Sequence, residues 1–426
     1  MVRFPSVMVI PGRLESVIAD QYRLVAYVRP FNATSDPIPK VERFDTTSYA
    51  LTQLYPTPAG CFPAELYGRI FAFVEETKDL INLCTLSKLV HQEAERVLYN
   101  YVNLANDHFL IMRWFQKIAQ DRRAGFVRAL TFGIVDACMP WQPHRFLEII
   151  AKGLRALVNL KDLHLHRRDP RFMDGKHAWI IRDHPFQLKA FRNDMFDLEP
   201  TIPFLSSQKD LVVWEQRRAT ICDIREDILP NLTRSALDTW MLHKIALRSI
   251  QRLELGVICK NATGEREFIE TLGKFSASLV GLDLSREVVE DSLSMADFIG
   301  LLAQWVPRLT YLCFRNKNSQ THQFFVPSTL QTTESGQEDL ALRLWAFTEL
   351  ATLCIFPASS SNRSSLCRVI LSETGRTKLV SRFFLSSPAL RRVAFPDGSG
   401  RLRWYARSAH FSMIGDTIVR LGTAKR

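Results

Sequence analysis

A short apolar phrase recurs along most of this chain and limits the folds open to it. The phrase has the form Leu-x-x-Leu-x-Leu, and its last two apolar residues lie two positions apart, so both side chains point to one face of a β-strand. Clear copies span 250–255, 279–284, 309–314, 350–355 and 390–395. Earlier copies span 127–132 and 160–165, and weaker ones lie at 188–191, 211–213 and 232–237. The sequence therefore predicts many short strands that each bury one face.

Amphipathic stretches separate these strands and predict helices between them. They are His144–Leu157, Glu265–Phe275, Asp291–Trp305, Leu340–Phe347 and Lys378–Leu385. Proline stands just before several strands, as at Pro230, Pro307 and Pro388, where it stops a helix and sets an extended entry. This pattern resembles leucine-rich repeats, which implies an irregular solenoid of parallel strands and helices.

An ordinary α/β fold is the rival interpretation, because it also alternates strands with helices. Two observations favour the repeat. One phrase recurs, and no glycine-rich phosphate-binding loop follows any of the strands. The irregular spacing, from below thirty to about forty residues, indicates a degenerate repeat.

Residues Cys61–Leu104 precede the repeats and predict three short helices. Apolar residues recur at helical spacing in each, and Ser87 is suited to cap the third helix. So short a unit buries little surface and normally leaves apolar side chains for a partner. The alternative is that these helices only cap the domain that follows.

The order of residues within this segment resembles the F-box of fungal F-box proteins. The matching positions are Phe62-Pro63-Ala64-Glu65-Leu66, Ile70, Phe73-Val74, Asp79-Leu80, Leu83, Leu86-Ser87-Lys88 and Val90. Departures from the family pattern are Phe62 for Leu, one extra residue before Lys78, Leu86 for Val, and Val90 for Phe or Trp.

The resemblance implies a substrate-recognition subunit of an SCF-type cullin–RING ubiquitin ligase. Such a subunit binds a Skp-type adaptor, and through it a cullin, and it holds an unknown target protein on the repeats. The adaptor-binding residues that the resemblance implies are Phe62, Pro63, Leu66, Ile70, Leu80, Leu83, Leu86 and Val90. The alternative is a repeat scaffold that binds protein partners without any ligase, which the departures at Phe62, Leu86 and Val90 favour.

The target is expected on the concave, strand-lined face of the repeats, where curved solenoids commonly bind their partners. Side chains that alternate with the buried leucines should point to this face. They are His164, His166, Arg192, Glu254, Asp283 and Arg315. Because their charges are mixed, they indicate no simple acidic or basic ligand.

Composition narrows the function classes. The chain has 426 residues, is 46% hydrophobic and carries a net charge of +11, with its arginines scattered rather than in long runs. A scattered excess of cations is typical of a solvated surface. The sequence has no C-x-x-C motif, no secretory signal and no apolar run long enough to span a membrane. We therefore expect a protein of the cytoplasm or nucleus with reduced cysteines and no membrane contact.

Catalytic and cofactor motifs are absent from the sequence, so we expect no enzymatic activity and no cofactor. His164-x-His166 on a predicted strand could open a metal site, but no matching ligands stand in register, and we expect no metal. Trp214–Arg218 and Arg401–Arg407 interleave aromatic and basic residues, as nucleic-acid sites do. We interpret the second stretch as a terminal strand with a buried Trp and Tyr, and expect no nucleic-acid binding.

These patterns together predict an α/β repeat protein in three parts. Residues 1–57 form an N-terminal arm of unassigned role, residues 58–104 the F-box, and residues 105–426 the leucine-rich-repeat-like solenoid with a terminal cap.

Overall fold

The computed structural model of the chain describes most of the sequence from Ala64 onward. The described ranges are 64–104, 108–134, 143–167, 175–216, 223–245, 248–257, 259, 261–288, 291–318, 334–356, 369–370, 372–396, 402–407 and 418–421. The predicted N-terminal arm, Phe62 and Pro63 lie outside them. The chain forms two compact units, Met1–Leu188 and Lys189–Arg426.

The first unit begins with helices and continues into parallel strands. Its elements are α1 (Ala64–Phe71), α2 (Thr77–Leu83), α3 (Lys88–Asn100), β1 (Tyr101–Leu104), α4 (His108–Ile118), a 3-10 helix (Arg122–Phe126), β2 (Ala129–Ile134), α5 (Pro143–Ala156), β3 (Asp162–Arg167) and a second 3-10 helix (Gly175–Ile181). β1 pairs with β2 and β2 with β3, both in parallel. The first strand of the sheet therefore falls inside the segment predicted to be the F-box, directly after α3.

The second unit repeats a strand and its connection along a parallel sheet. Its elements are β4 (Ala190–Asn193), α6 (Leu198–Ser207), β5 (Val213–Gln216), β6 (Arg234–Asp238), a 3-10 helix (Thr239–Met241), α7 (Leu242–Ile245), β7 (Arg252–Val257), α8 (Ala262–Gly273), β8 (Gly281–Val288), α9 (Met295–Trp305), β9 (Tyr311–Asn318), α10 (Glu334–Leu344), β10 (Thr352–Phe356), α11 (Glu373–Ser386), β11 (Arg392–Pro396), β12 (Leu402–Arg407) and β13 (Ile418–Leu421). Each strand from β4 to β11 pairs in parallel with the next. The predicted α/β repeat is confirmed.

The recurring phrase explains this register. On β8, Leu282 and Leu284 are buried and align with the buried Leu253 and Leu255 of β7. The phrase's first apolar residue, such as Leu279, precedes the strand and is buried too. All copies of the phrase coincide with strands, so one face of the sheet carries the apolar core.

Polar side chains replace part of that core in the second unit, for example between β4 and β5 and around Arg286. Asn193 and Gln216 lie side by side at paired positions of β4 and β5, and the Asn193 amide donates to the Gln216 side-chain oxygen at 2.9 Å. Farther along, the fully buried Arg286 donates twice to the fully buried carboxylate of Glu265, at 2.5 and 2.8 Å, and lies over the ring of Phe298. Both sets of buried polar side chains have hydrogen-bond partners within the protein. These hydrogen bonds offset the free-energy cost of removing the polar groups from water.

The structure differs from the predicted elements at several boundaries. α10 spans Glu334–Leu344, so it begins six residues before the predicted stretch Leu340–Phe347. α8 begins at Ala262, three residues before the predicted Glu265, and α9 begins at Met295, four residues after the predicted Asp291. Unlike the parallel strands before them, β12 and β13 pair in antiparallel fashion.

Candidate functional site

The three-helix segment at the start of the first unit keeps a small internal core. Phe71, Leu80, Ala94 and Leu98 are buried, and they hold the helices together. Ser87 begins α3, and its hydroxyl accepts a hydrogen bond from the Val90 amide at 3.2 Å. The predicted cap is therefore confirmed, and it fixes the angle at which the chain enters α3.

Other apolar side chains of this segment remain exposed to solvent. The exposed fraction is 55% for Ile70, 68% for Leu86 and 84% for Phe73, and Leu66 and Leu89 are exposed as well. Exposed apolar side chains gathered in one small unit typically mark an interaction surface. We call these five residues the apolar surface of the segment.

The residues that the F-box resemblance selects fall into three groups. Leu66, Ile70 and Leu86 are exposed and belong to the apolar surface, whereas Leu83 and Val90 are half-buried. Leu80 is buried among the helices, where it supports the segment from inside. Phe62 and Pro63 lie outside the described residues.

A buried carboxylate ties α3 to the 3-10 helix at Arg122–Phe126. Glu95 is almost fully buried and accepts hydrogen bonds from Arg123 at 2.5 Å and from Arg122 at 2.9 Å. The Arg123 guanidinium also lies over the ring of Tyr99, 5.3 Å from its centroid. Burial raises the pKa of Tyr99 above its ordinary value, so this phenol is neutral near pH 7. The orientation of α3 is thus fixed by charge-assisted hydrogen bonds as well as by apolar packing.

In the second unit, the side chains that alternate with the buried leucines form the opposite face of the sheet, which we call the open face. Arg192 on β4 pairs with Glu215 on β5 at 3.0 Å, and Arg315 on β9 pairs with Asp283 on β8 at 2.9 Å. Glu254 on β7 is exposed on the same face. These residues alternate with the buried core residues of their strands, and their role in target binding stays a prediction.

Arg315 is held more firmly than a solvated surface arginine. Its guanidinium lies 4.9 Å from the centroid of the Phe356 ring, besides its pairing with Asp283. Partial burial by itself would lower the pKa of Arg315. The interactions with Asp283 and Cys313 outweigh this effect and keep the pKa above its ordinary value. Such a group stays charged and offers a fixed rather than a mobile cation.

The predicted target-binding histidines lie on β3 of the first unit. His164 and His166 alternate with the buried Leu163 and Leu165, and both imidazoles are half-buried. The two rings meet edge to face, with centroids 5.8 Å apart. Their orientation away from the leucine core agrees with the expectation from the strand phrase.

A cluster on the open face was not foreseen from the sequence. Cys313 and Cys354 occupy paired positions on β9 and β10, and with Ala394 they are buried beneath Phe356, Leu402 and Trp404. The Cys354 thiol donates a hydrogen bond to Cys313, which lowers the pKa of Cys313 and raises that of Cys354. In the phrase each cysteine stands between the two core residues of its strand, but their pairing also depends on β9 and β10 lying side by side.

The two aromatic and basic stretches differ from nucleic-acid platforms. Trp214 is fully buried in the core, so it offers no face for base stacking. Tyr405 is buried on β12, and its hydroxyl accepts a hydrogen bond from Arg376 at 3.0 Å. Trp404 is half-buried against the cysteine cluster. This stretch forms a strand, as interpreted, but β13 follows and pairs with it, and only Tyr405 of its two aromatic residues is buried.

Comparison with known proteins gives little beyond this geometry. No protein-family model and no curated protein matches the sequence. Among solved structures, the chain is similar to the leucine-rich repeat-containing protein LegL7 from Legionella pneumophila, with 13% sequence identity, a TM-score of 0.38, and coverage of 72% of this chain and 88% of that one. The strand order and register described above, rather than this match, define the fold as an α/β repeat.

None of the helices in the described ranges is both long enough and apolar enough to cross a bilayer.

Proposed function

We propose that this chain is the substrate-recognition subunit of an SCF-type cullin–RING ubiquitin ligase. The observation that carries the proposal is the exposure of Leu66, Ile70 and Leu86 on a three-helix segment whose residue order resembles an F-box. A segment this small gains nothing in its own stability from side chains left in water. Their exposure is accounted for if a Skp-type adaptor covers them.

Covering these exposed apolar side chains would contribute favourably to the free energy of binding. Full burial of a Leu, Ile or Phe side chain contributes about 1.5–3 kcal/mol. Covering three such side chains would contribute roughly 4–9 kcal/mol before the costs of association are subtracted. Leu80, which is already buried, would contribute by holding the segment in shape, and Leu83 and Val90 would add partial contacts.

The repeats would hold the target protein. On this proposal His164 and His166 in the first unit, and Arg192, Glu254, Asp283 and Arg315 in the second, contact the target. The chain supplies no catalytic group of its own in this role. Its contribution is to raise the effective concentration of the target beside a ubiquitin-charged enzyme.

The proposal is tested by reversing the character of two exposed side chains. Ile70→Lys with Leu86→Lys should abolish co-purification with the Skp-type adaptor, because a cation would then be buried in an apolar contact. The matched control is Leu342→Lys with Leu385→Lys, which changes two comparably exposed leucines on α10 and α11. Adaptor recovery should be unchanged in the control, and circular dichroism should show both variants folded. Full adaptor recovery with the folded Ile70/Leu86 variant would refute the proposal.

A repeat scaffold without a ligase is the second candidate. The departures of Phe62, Leu86 and Val90 from the F-box pattern favour it, and Leu86 is among the most exposed apolar residues of the segment. Affinity purification of the wild-type chain followed by mass spectrometry separates the two. Recovery of adaptor and cullin supports the ligase subunit, whereas recovery of other proteins without either supports the scaffold.

A further inference from the structure

One row of side chains crosses the open face of the second unit where the strands begin. The pairings join Arg234 of β6 to Arg252 of β7, then Gly281 of β8, Tyr311 of β9, and finally Thr352 and Arg392 of the next two strands. Arg234, Arg252 and Arg392 are exposed, as is Tyr311. We call this set the arginine row.

Two cations in this row are direct neighbours. Arg234 and Arg252 occupy paired positions on adjacent parallel strands, whose backbones lie about 4.8 Å apart. Like charges placed directly opposite each other disfavour the sheet. Within the described ranges neither guanidinium has an ion-pair partner. Arg192 and Arg315 of the same unit, by contrast, are both paired with carboxylates. An anion bound across the two strands would relieve the repulsion.

Gly281 fixes where the second of these cations lies. Gly281 is buried, and a Cβ atom at this position would come within 3.0 Å of Cγ and 3.7 Å of Nε of Arg252. The stem of Arg252 therefore lies across Gly281 of β8, in the space that a larger residue would fill. Because the side chain is already placed, less conformational entropy is lost when a ligand binds it.

The next row along the strands has the opposite sign. Glu254 and Asp283 follow two residues after Arg252 and Gly281, about 6.6 Å farther along the strands. Glu254 is exposed, so a broad polyanion such as a nucleic-acid backbone would meet its negative charge. A single extended peptide is narrow enough to follow the arginine row alone.

The spacing of the row also sets the length of the ligand. From β6 to β11 the row crosses five strand intervals, which corresponds to about 24 Å at roughly 4.8 Å for each interval. An extended peptide rises about 3.4 Å per residue, so about seven residues cover the row.

We propose that the arginine row binds an extended acidic segment of the target protein, with aspartate or glutamate carboxylates accepting hydrogen bonds from Arg234 and Arg252. Arginine is suited to this role because its planar guanidinium can bind a carboxylate in bidentate fashion. The inference rests on the proposed function in that the ligand is taken to be the target. It adds the chemical class of that target and names residues absent from the sequence-based set.

The test uses the full chain and a fluorescein-labelled octaglutamate peptide, with binding measured by fluorescence anisotropy. Arg234→Gln with Arg252→Gln should weaken binding at least ten-fold. The matched control is Arg266→Gln with Lys274→Gln, which removes two exposed cations at α8 and its end and gives the same change in net charge. The control should bind within two-fold of the wild type. Equal weakening by both pairs would show a general charge effect and overturn the proposal.

A charge-neutral variant separates a positioned arginine from mere charge. Gly281→Val keeps every cation but fills the space in which the stem of Arg252 lies, and it should weaken octaglutamate binding by several-fold. Unchanged binding in this variant would contradict the pre-placed Arg252. An unlabelled single-stranded octanucleotide that displaces the peptide more effectively than octaglutamate itself would reassign the row to nucleic acid and overturn the proposal.

Adaptor recovery, measured on the same variants, distinguishes this inference from the proposed function. Octaglutamate binding that depends on Arg234 and Arg252, without adaptor recovery from the wild type, would support the arginine row and refute the ligase role. Adaptor recovery without any octaglutamate binding would refute the arginine row alone.

Discussion

The three-helix segment of the first unit and the parallel strands of the second unit use their apolar residues in opposite ways. In the repeats, residues such as Leu282 and Leu284 recur at alternate strand positions and are fully buried. In the segment, Ile70 and Leu86 remain in solvent although a small core is present. Apolar residues on the strands of the repeats therefore stabilise the fold. On the proposed function, the exposed apolar residues of the segment are completed by a partner.

The largest expected effect tests the self-sufficiency of the repeats. Glu265→Ala should destabilise the second unit by about 3–5 kcal/mol, because it leaves the buried charge of Arg286 without its carboxylate. The measurement is chemical denaturation followed by circular dichroism. Glu267→Ala, at an exposed position on the same helix, is the control and should stay within about 0.5 kcal/mol of the wild type. Equal effects at the two positions would mean that the buried ion pair is not part of the core.

The second prediction sets one apolar residue of each region against the other. Leu282→Ala should cost about 2–5 kcal/mol in the free energy of unfolding, because it leaves a cavity between strand and helix. Ile70→Ala should change that free energy by less than about 0.5 kcal/mol while weakening adaptor binding. Thermal unfolding and adaptor titration of both variants measure the contrast. A large loss of stability in Ile70→Ala with no change in adaptor binding would remove the distinction between the regions.

The amount that the sequence alone predicts also differs between the two regions. The strand phrase predicted every strand it marked, because an alternation of period two is tied directly to burial on one face of a sheet. It predicted equally well that Glu254 and Asp283 point away from the leucines. It did not identify which copies of the phrase lie side by side, and the pairs Cys313–Cys354 and Arg234–Arg252 depend on that adjacency.

Helical periodicity was less informative for the three-helix segment. Leu80 and Ile70 both belong to apolar stripes, yet Leu80 is buried and Ile70 is exposed. Periodicity identifies an apolar face but does not say whether a neighbouring helix or a partner covers it. The order of residues, through its resemblance to the F-box, supplied the expectation of a partner.

The smallest expected effect concerns pH and the first unit. Burial lowers the pKa of His184, whose Nε2 is 2.7 Å from the Ile180 carbonyl and whose ring stacks on Phe186. A histidine with a lowered pKa in the folded state stabilises the fold above its unfolded pKa of about 6.5, and this contribution is lost as the pH falls below that value. We expect unfolding of the first unit to become easier between about pH 6.5 and pH 5. His184→Gln should flatten the decline, and an identical pH profile in that variant would contradict the assignment.

Hydrogen–deuterium exchange of the full chain, with and without the Skp-type adaptor, tests the central claim most directly. The account predicts slower exchange on adaptor addition in α1, in the turn around Leu86 and at the start of α3, with no change in the strands β7 to β11 of the second unit. The Ile70→Lys, Leu86→Lys variant should show no protection at the same adaptor concentration. Unchanged exchange across Ala64–Asn100 in the wild type, at adaptor concentrations that protect a known F-box protein, would contradict the account.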